Sequence, residues 1–187
     1  MSEDHLRYPI GRFEPKRDPT WHNRKELVQL IAGIAIELRE LVQGLTLEQL
    51  KLPYRPGGWC IQQIIHHMAD NDTNACLRLK RALTEDQPLA SSYREDQFAE
   101  LTDYSDAPIE WSITLLEVLH KRIVIVLNSL SEEQYRRTLQ TGPLGIITID
   151  TAVERFVWHN QHHTAQIRSL IERMGWHTEE QHELRLP

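Results

Sequence analysis

Along four stretches of the chain, apolar residues recur at intervals of three and four positions, with polar residues between them. This spacing is typical of a helix that buries one face. The pattern runs over residues 21–43, 59–84, 108–130 and 150–174, and Gly175 follows the last stretch as a common helix end. The pattern predicts an all-α domain with four long helices, which is the number found in a four-helix bundle.

The segments between the long helices are predicted to be loops with short elements of their own. Residues 45–50 and 131–134 each have the pattern of a capped turn of helix, and one more short helix is expected around 97–101. Residues 146–149 are mostly β-branched, which favours a short extended segment before the fourth helix. Asp150 then has the side chain of a good N-cap for that helix.

A chain of this size is expected to form one domain, spanning residues 1–187. Prolines within residues 1–20 predict an extended N-terminal arm. Tyr8 and Phe13 in this arm are expected to pack on the domain itself or on a second subunit. Residues 177–187 are predicted to be a polar tail.

The composition limits the partners and the location that are expected. The formal net charge is 21 − 27 = −6, which argues against a nucleic acid or an anionic membrane as the main partner, because both bind basic surfaces. The apolar run of the first long helix is too short and too charged to span a bilayer. The start of the chain does not resemble a secretory signal, and Cys60 and Cys76 lie too far apart along one predicted helix to form a disulfide. We therefore expect a cytoplasmic protein.

Histidines are the first indication of chemistry, since the chain has 10 of them and five form two clusters on the second and fourth predicted helices. His159 and His163 lie four positions apart, so they share one side of the fourth helix and could bind one metal ion together. Gln166 continues that side. A helical wheel places both histidines at the edge of the apolar face but directs His162 towards solvent. Because Asn160 follows His159, the catalytic glutamate of the zincin motif is absent.

The cluster on the second helix is less decisive, because His66 and His67 both lie away from the apolar face. His67 is favoured as a third ligand, since it shares its side of the helix with a polar stripe that includes Asn71 and Arg78. A histidine at a helix edge is usually a surface or hydrogen-bonded residue, so the metal-site hypothesis depends on the two clusters together. Three neutral imidazoles suit zinc or nickel and leave one coordination position for water or substrate.

Two tryptophans beside these clusters are predicted to have structural roles. Trp158 is directed away from the apolar face of the fourth helix, so it is expected to be exposed or to lie at a dimer contact. Trp59, at the start of the second helix, is expected to anchor the core rather than to contact a substrate.

An ordered set of motifs resembles one family across nearly the whole chain. The motifs are Tyr8-Pro9-Ile10-Gly11, Pro53-Tyr54-Arg55, Gly57-Gly58-Trp59, His66-His67, Ala69-Asp70, Leu83-Thr84-Glu85, Trp158-His159, His162-His163 and Met174-Gly175-Trp176. In this set the chain is similar to the DinB-like metalloenzyme superfamily, and within it to the YfiT-like metal-dependent hydrolases, some of which are linked to bacillithiol S-transfer.

The resemblance implies a four-helix bundle of the DinB type with up-down-down-up connectivity, and a homodimer. It also implies one metal ion per subunit, usually zinc and replaceable by nickel, held at the positions of His67, His159 and His163. One departure from the family pattern is Cys60, at a position where a threonine or serine is expected. It is expected to affect the start of the second helix and not the metal site.

Three functions are compatible with these observations. The first is a hydrolase whose metal activates water, for which Asp70 and Glu154 are candidate general bases. The second is a thiol S-transferase, in which the metal acidifies a low-molecular-weight thiol and no protein base is needed. Arg55, Asn71 and Arg78 could then hold the polar parts of the thiol cofactor. The third is a non-catalytic helical dimer that binds a metal.

Overall fold

The computed structural model describes residues 3–15, 19–142 and 144–176, and the predicted polar tail lies outside them. The helices and strands, in chain order, are α1 (Glu3–Arg7), α2 (Trp21–Val42), α3 (Leu47–Leu50), α4 (Ile61–Thr84), α5 (Glu95–Phe98), α6 (Thr102–Asp106), α7 (Ile109–Asn128), α8 (Glu132–Tyr135), β1 (Thr138–Thr141), β2 (Gly145–Thr148) and α9 (Ile149–Met174). The four long helices α2, α4, α7 and α9 confirm the predicted bundle.

The pairing of the four long helices follows from their contacts. Both α2 and α4 pack against α7 and α9. Near the N-termini of α2 and α9, Arg24 pairs with Asp150. Further along both helices, Arg168 pairs with Glu37, so α2 and α9 run parallel.

The directions of the other two long helices follow from their contacts. His66 of α4 bonds with Ser112 of α7, and Asp72 bonds with His120 further along the same two helices, so they run parallel. Arg39, near the end of α2, pairs with acidic residues in the first half of α7, so α2 and α7 are antiparallel. The connectivity is therefore up-down-down-up, as the family resemblance implied.

The core between the long helices is apolar. Side chains with 0% exposure include Ile31, Leu38, Ile61, Ile64, Ile65, Met68, Leu116, Ile149 and Ile167. Truncating one such aliphatic side chain to alanine generally costs about 2–5 kcal/mol of stability. Among the described ranges, no helix combines the length and the apolar character needed to cross a membrane.

Local capping decides where the second long helix begins. Cys60 is the N-cap of α4, and its Sγ accepts a hydrogen bond from the backbone N–H of Gln63 at 3.5 Å. The helix therefore begins at Ile61, later than predicted, and Trp59 lies before it. A thiol performs the capping role that the family pattern gives to a hydroxyl.

The predicted N-cap of the fourth long helix is wrong. Thr148 caps α9, and its hydroxyl accepts a hydrogen bond from the backbone N–H of Thr151 at 3.2 Å. Asp150 lies inside the first turn, where its carboxylate accepts two hydrogen bonds of 2.8 Å from Arg24. Because Arg24 is 126 positions away in sequence, local patterns cannot reveal this pairing. At the other end of α9, Gly175 has the predicted left-handed conformation, with φ +67°.

The connecting segments contain more regular structure than predicted. The short helix expected around 97–101 is replaced by two, α5 and α6. The extended segment expected before the fourth helix is β2, and it pairs with the unpredicted antiparallel strand β1, so that Leu139 lies opposite Ile147. The expectation of an entirely extended N-terminal arm is wrong at its start, where α1 forms a short helix.

The N-terminal arm packs on α9, which overturns the prediction that His162 faces solvent. The ring centroids of Tyr8 and His162 lie 5.7 Å apart, and those of Phe13 and Trp158 lie 5.8 Å apart. His162 also stacks on Trp158, at 4.8 Å. His162 is only 6% exposed, so it does not face solvent as predicted. Trp158 is half-buried rather than exposed, and its place at a dimer contact stays a prediction. The helical wheel considered only the bundle core, whereas the arm buries the opposite side of α9.

Candidate metal centre

His67, His159 and His163 converge between α4 and α9. One ring nitrogen from each lies within 4.8 Å of the other two, and the Nε2 atoms of His67 and His159 are 3.2 Å apart. His67 is 2% exposed and His163 is 8% exposed. We call these three residues the histidine centre. The structure thus brings together the three histidines that the sequence singled out.

The outward nitrogen of each ring is hydrogen-bonded to another side chain. His163 Nδ1 lies 2.9 Å from Gln166 Oε1, so it must donate its proton, which leaves the lone pair of Nε2 free. His67 Nδ1 lies 3.3 Å from the Tyr93 hydroxyl, and His159 Nδ1 lies 3.1 Å from the Asn71 amide. Partners of this kind fix ring orientation and tautomer in protein metal sites.

Burial keeps the three imidazoles uncharged. It lowers the pKa of His67 to about 4 and the pKa values of His159 and His163 well below the usual 6.5, and the proximity of the other rings adds to the shift. At neutral pH all three rings are therefore neutral imidazoles, which is the form that binds a metal. Within the described residues no carboxylate joins this group.

Trp59 forms one wall of the histidine centre. Its ring centroid lies 4.7 Å from that of His67 and 6.4 Å from that of His163. It also packs against the core, as predicted, but its contact with two of the histidines was not predicted. Tyr93 was missed as well, because it lies in a loop that has no periodic pattern. Gln166 had a sequence signal, since it continues the side of α9 that carries His159 and His163.

His66, the alternative to His67, is directed to the other side of α4. Its Nδ1 lies 2.7 Å from the Ser112 hydroxyl, and its Nε2 lies 3.2 Å from the carbonyl oxygen of Ala107. Both of its nitrogens are thus engaged by α7 and the segment before it. The preference for His67 agrees with this geometry.

The two candidate general bases lie outside the histidine centre. Asp70 accepts a hydrogen bond of 2.7 Å from the Tyr104 hydroxyl, and burial raises its pKa. Glu154 is buried on α9, at 7% exposure. Neither belongs to the group of converging metal-binding side chains.

A cavity of about 490 Å³ is lined in part by side chains that contact the histidine centre, and the three histidines themselves are not part of its lining. Asn71 and Tyr93, which are hydrogen-bonded to His159 and His67, line it. Of the predicted cofactor-binding residues, Asn71 and Arg78 line this cavity, whereas Arg55 does not and instead donates a hydrogen bond of 2.9 Å to the Tyr54 hydroxyl.

A second buried polar group, which we call the Asp72 network, lies next to the histidine centre. Asp72 Oδ2 is 2.7 Å from His120 Nε2, and Asp72 Oδ1 accepts a hydrogen bond of 3.1 Å from Asn160. Asn71 donates to the same oxygen at 3.2 Å, which connects the network to His159. The sequence pattern had placed His120 within the apolar stripe of the third long helix, so this network was not predicted.

Comparisons with known proteins agree with the fold and with the kind of site. Residues 36–167 match the DinB superfamily. A protein of Geobacillus kaustophilus named "putative metal-dependent hydrolase" is 40% identical over 174 residues, which cover 92% of this chain and 98% of that one. A Bacillus cereus protein with the same designation is 40% identical over 171 residues, covering 91% and 98% of the two chains.

A solved structure is also similar. It is YfiT from Bacillus subtilis, described as a probable metal-dependent hydrolase with an unusual four-helix bundle topology. The TM-score is 0.90 at 36% identity, over 92% of this chain and 99% of that one. The matching profile, the full-length relatives and the shared bundle together show that the chain belongs to the DinB superfamily.

Proposed function

We propose that the protein is a metal-dependent hydrolase in which His67, His159 and His163 hold one zinc ion, with nickel as a possible substitute. The observation that carries the proposal is the convergence of three uncharged imidazoles, each with its outer nitrogen held, beside a cavity of ligand size. Three neutral nitrogen donors suit zinc and nickel rather than magnesium or calcium, which prefer oxygen ligands. The designation of the relatives supports the same reaction class.

The residues around the histidine centre would perform defined tasks. When bound, zinc supplies Lewis acidity, which lowers the pKa of a water in its free coordination position and polarises a carbonyl oxygen. Gln166 and Tyr93 hold the rings of His163 and His67 in the orientation that leaves one nitrogen of each free. Trp59 covers two of the rings and limits the access of bulk water.

Metal analysis tests the ligand set directly. Protein purified without a nickel column is expected to contain about one zinc per chain, and His159→Ala is expected to lose it. His66→Ala is the matched control, because it removes a buried histidine of α4 that is engaged elsewhere. Retention of zinc by His159→Ala, or the loss of zinc from both variants alike, would contradict the ligand assignment. Hydrolysis is then assayed with p-nitrophenyl esters and anilides, with the metal-free protein as the blank.

A thiol S-transferase is the second candidate, and the position of Asp70 and Glu154 outside the histidine centre favours it. In such a reaction the thiol loses its proton to solvent, its sulfur forms a bond to carbon, and a leaving group such as chloride departs. Incubation with 1-chloro-2,4-dinitrobenzene, with and without bacillithiol, separates the two candidates. Product that requires both thiol and zinc would support transfer, and activity on esters without thiol would support hydrolysis.

The homodimer and the cytoplasmic location remain predictions. The outer face of α7 exposes Trp111, Val118 and Ile125, each at least half exposed and seven positions apart, a spacing that keeps them on one face. We propose that this stripe contacts a second copy of the chain. Sedimentation velocity of Val118→Glu, with Gln161→Glu at an exposed position of α9 as control, should show a monomer only for the first variant. Cell fractionation tests the location.

A further inference from the structure

The cavity beside the histidine centre has an apolar interior. Its inner wall is formed by side chains from the long helices and the β1–β2 hairpin, including Ile31, Leu127, Leu139, Ile147 and Phe156. Its volume of about 490 Å³ lies within the range of small-molecule sites. An apolar body of a ligand would therefore be desolvated favourably inside it.

Two arginines line the same cavity, Arg78 from α4 and Arg155 from α9. Both are half-buried, and in the part of the chain that the structure describes neither forms an ion pair with a carboxylate. Arg78 donates to the carbonyl oxygen of Ser91, and Arg155 lies 5.9 Å from the ring of Phe13. Other arginines of the bundle, such as Arg24 and Arg39, have carboxylate partners.

The electrostatics of the two guanidinium groups are unfavourable without an anion. Burial lowers the pKa of Arg78 and of Arg155, and the charge of Arg155 further lowers that of Arg78. Two carboxylates lie at the rim of the cavity, but Asp96 is paired with Arg94 at 3.1 Å, and Glu95 is exposed to solvent. The lining thus carries two arginines and two carboxylates, and the charge of Glu95 raises the pKa of Arg155, but neither arginine forms an ion pair among the described residues. Burying a cation without a paired counter-charge is costly.

The arginines also lie close to the histidine centre. Arg155 is one helical turn before His159. The pKa of His159 is lowered mainly by burial and by the neighbouring histidine rings, and the charge of Arg155 lowers it further. Arg78 lines the same cavity as Asn71 and Tyr93, the side chains bonded to His159 and His67. A group held by the arginines would therefore place the adjoining atoms of the ligand near the reactive position.

We propose that this cavity binds a substrate that has an apolar body and an anionic group, with the anion seated at Arg78 and Arg155. The inference rests on the proposed function in taking this cavity as the substrate site, and it specifies the substrate class. Guanidinium groups donate several hydrogen bonds in a fixed plane, so a carboxylate or a phosphate is the matching chemistry.

A matched pair of probes tests the proposal on metal-free protein, so the result does not depend on zinc or on turnover. The probes are 4-phenylbutyrate and the neutral 4-phenyl-1-butanol, and their affinities are measured by isothermal titration calorimetry. The acid is expected to bind about tenfold tighter or more, because hydrogen bonds to a charged group are stronger than those between neutral groups. Added salt should weaken binding of the acid and not of the alcohol.

The variant set assigns the preference to the arginines. The double variant Arg78→Gln with Arg155→Gln should bind the acid no better than the alcohol, while its affinity for the alcohol stays unchanged and so reports an intact cavity. Arg122→Gln, an exposed arginine of α7 outside the cavity, should behave as the wild type. Equal affinities for the two probes in the wild type, no binding of either, or a preference that survives in the double variant would overturn the proposal. The hydrolase proposal would fail separately, through absence of zinc or of hydrolysis.

Discussion

The histidine centre and the Asp72 network lie side by side between the same helices, yet they differ in charge balance and in access. The Asp72 network surrounds one carboxylate with hydrogen bonds from His120, Asn160 and Asn71, and its residues Asp72, His120 and Asn160 are at most 2% exposed. The histidine centre contains no carboxylate among the described residues, and a cavity begins beside it. Burial of both clusters is similar, so burial alone does not distinguish a functional site from a structural one.

The difference lies in what each cluster lacks. The Asp72 carboxylate accepts hydrogen bonds from a histidine and two amides, as in a structural polar network, while His120 Nδ1 and Asn160 Oδ1 have no hydrogen-bond partner among the described residues. In the histidine centre three imidazole nitrogens converge with no carboxylate among the described residues, which is the arrangement of a site for a cation. Asn71 contacts both clusters, and this lets variants of one be compared with variants of the other.

The largest effect is expected from breaking the Asp72 network. Asp72→Leu should lower the free energy of unfolding by about 3–5 kcal/mol, because it removes one partner of a buried pair and leaves His120 without its acceptor. The double variant Asp72→Leu with His120→Leu should recover much of this loss, since apolar residues can replace a whole buried pair. Urea denaturation of both variants and of His120→Leu, compared with Ile36→Ala at an exposed position of α2, measures the difference. If the double variant loses as much as the sum of the single changes, the pair is not coupled.

The next largest effect is expected in zinc affinity. A variant of the histidine centre should lose zinc affinity more than stability, whereas a variant of the Asp72 network should lose stability more than zinc affinity. His163→Ala should reduce zinc affinity by roughly a hundredfold to a thousandfold, because about 10–16 kcal/mol of binding energy is shared among four ligands in a zinc site. Its effect on the stability of the metal-free protein should be smaller than that of Asp72→Leu. Competition with a chromogenic chelator gives the affinities, with Asp72→Asn as the comparison variant. A loss in Asp72→Asn equal to that in His163→Ala would mean that the two clusters act as one site.

The pH dependence of the metal-free protein should differ in sign between the clusters. His67 has a folded-state pKa of about 4, below the unfolded value of 6.5, so the unfolded state binds a proton first as the pH falls. Stability should therefore be lost as the pH falls from 6.5 to 4, by about 3 kcal/mol from this residue. Burial raises the pKa of Asp72, so that group contributes stability that is lost as the pH rises through its folded-state pKa. Urea unfolding between pH 4 and pH 7 should show a shallower slope in His67→Leu than in the wild type, and identical slopes would contradict the assignment.

The sequence predicted what depends on local spacing. Helix periodicity placed the four long helices to within a few residues, and the separation of His159 from His163 predicted their convergence. A helical wheel takes no account of segments outside the bundle core, so it wrongly placed His162 in solvent. The N-terminal arm covers that side of α9. The resemblance to the family supplied the connectivity, which periodicity alone does not contain.

Features that depend on distant pairing could not be predicted. Asp150 has the chemistry of an N-cap, and only the fold shows that it binds Arg24. Tyr93 and Arg155 gave no signal, since one lies in an irregular loop and the other resembles any charged residue of a helix. Both enter the site because the bundle brings α4, α9 and the loop after α4 together around one cavity.

The smallest effect should come from the support of the histidine centre rather than from its ligands. Gln166 Oε1 accepts a hydrogen bond from His163 Nδ1, and Gln166 Nε2 donates a hydrogen bond of 2.9 Å to the carbonyl oxygen of Arg7 in the N-terminal arm. Gln166→Leu should lower zinc affinity by about 10- to 100-fold, as loss of such outer partners does in other metal sites. Gln161→Leu, an exposed position of the same helix, should leave affinity unchanged. Hydrogen exchange of residues 3–15 should rise in Gln166→Leu alone, because the arm loses its bond to α9. If affinity and exchange are both unchanged, the histidine rings are positioned by packing, as the Trp59 contacts would allow, and the hydrogen bond is incidental.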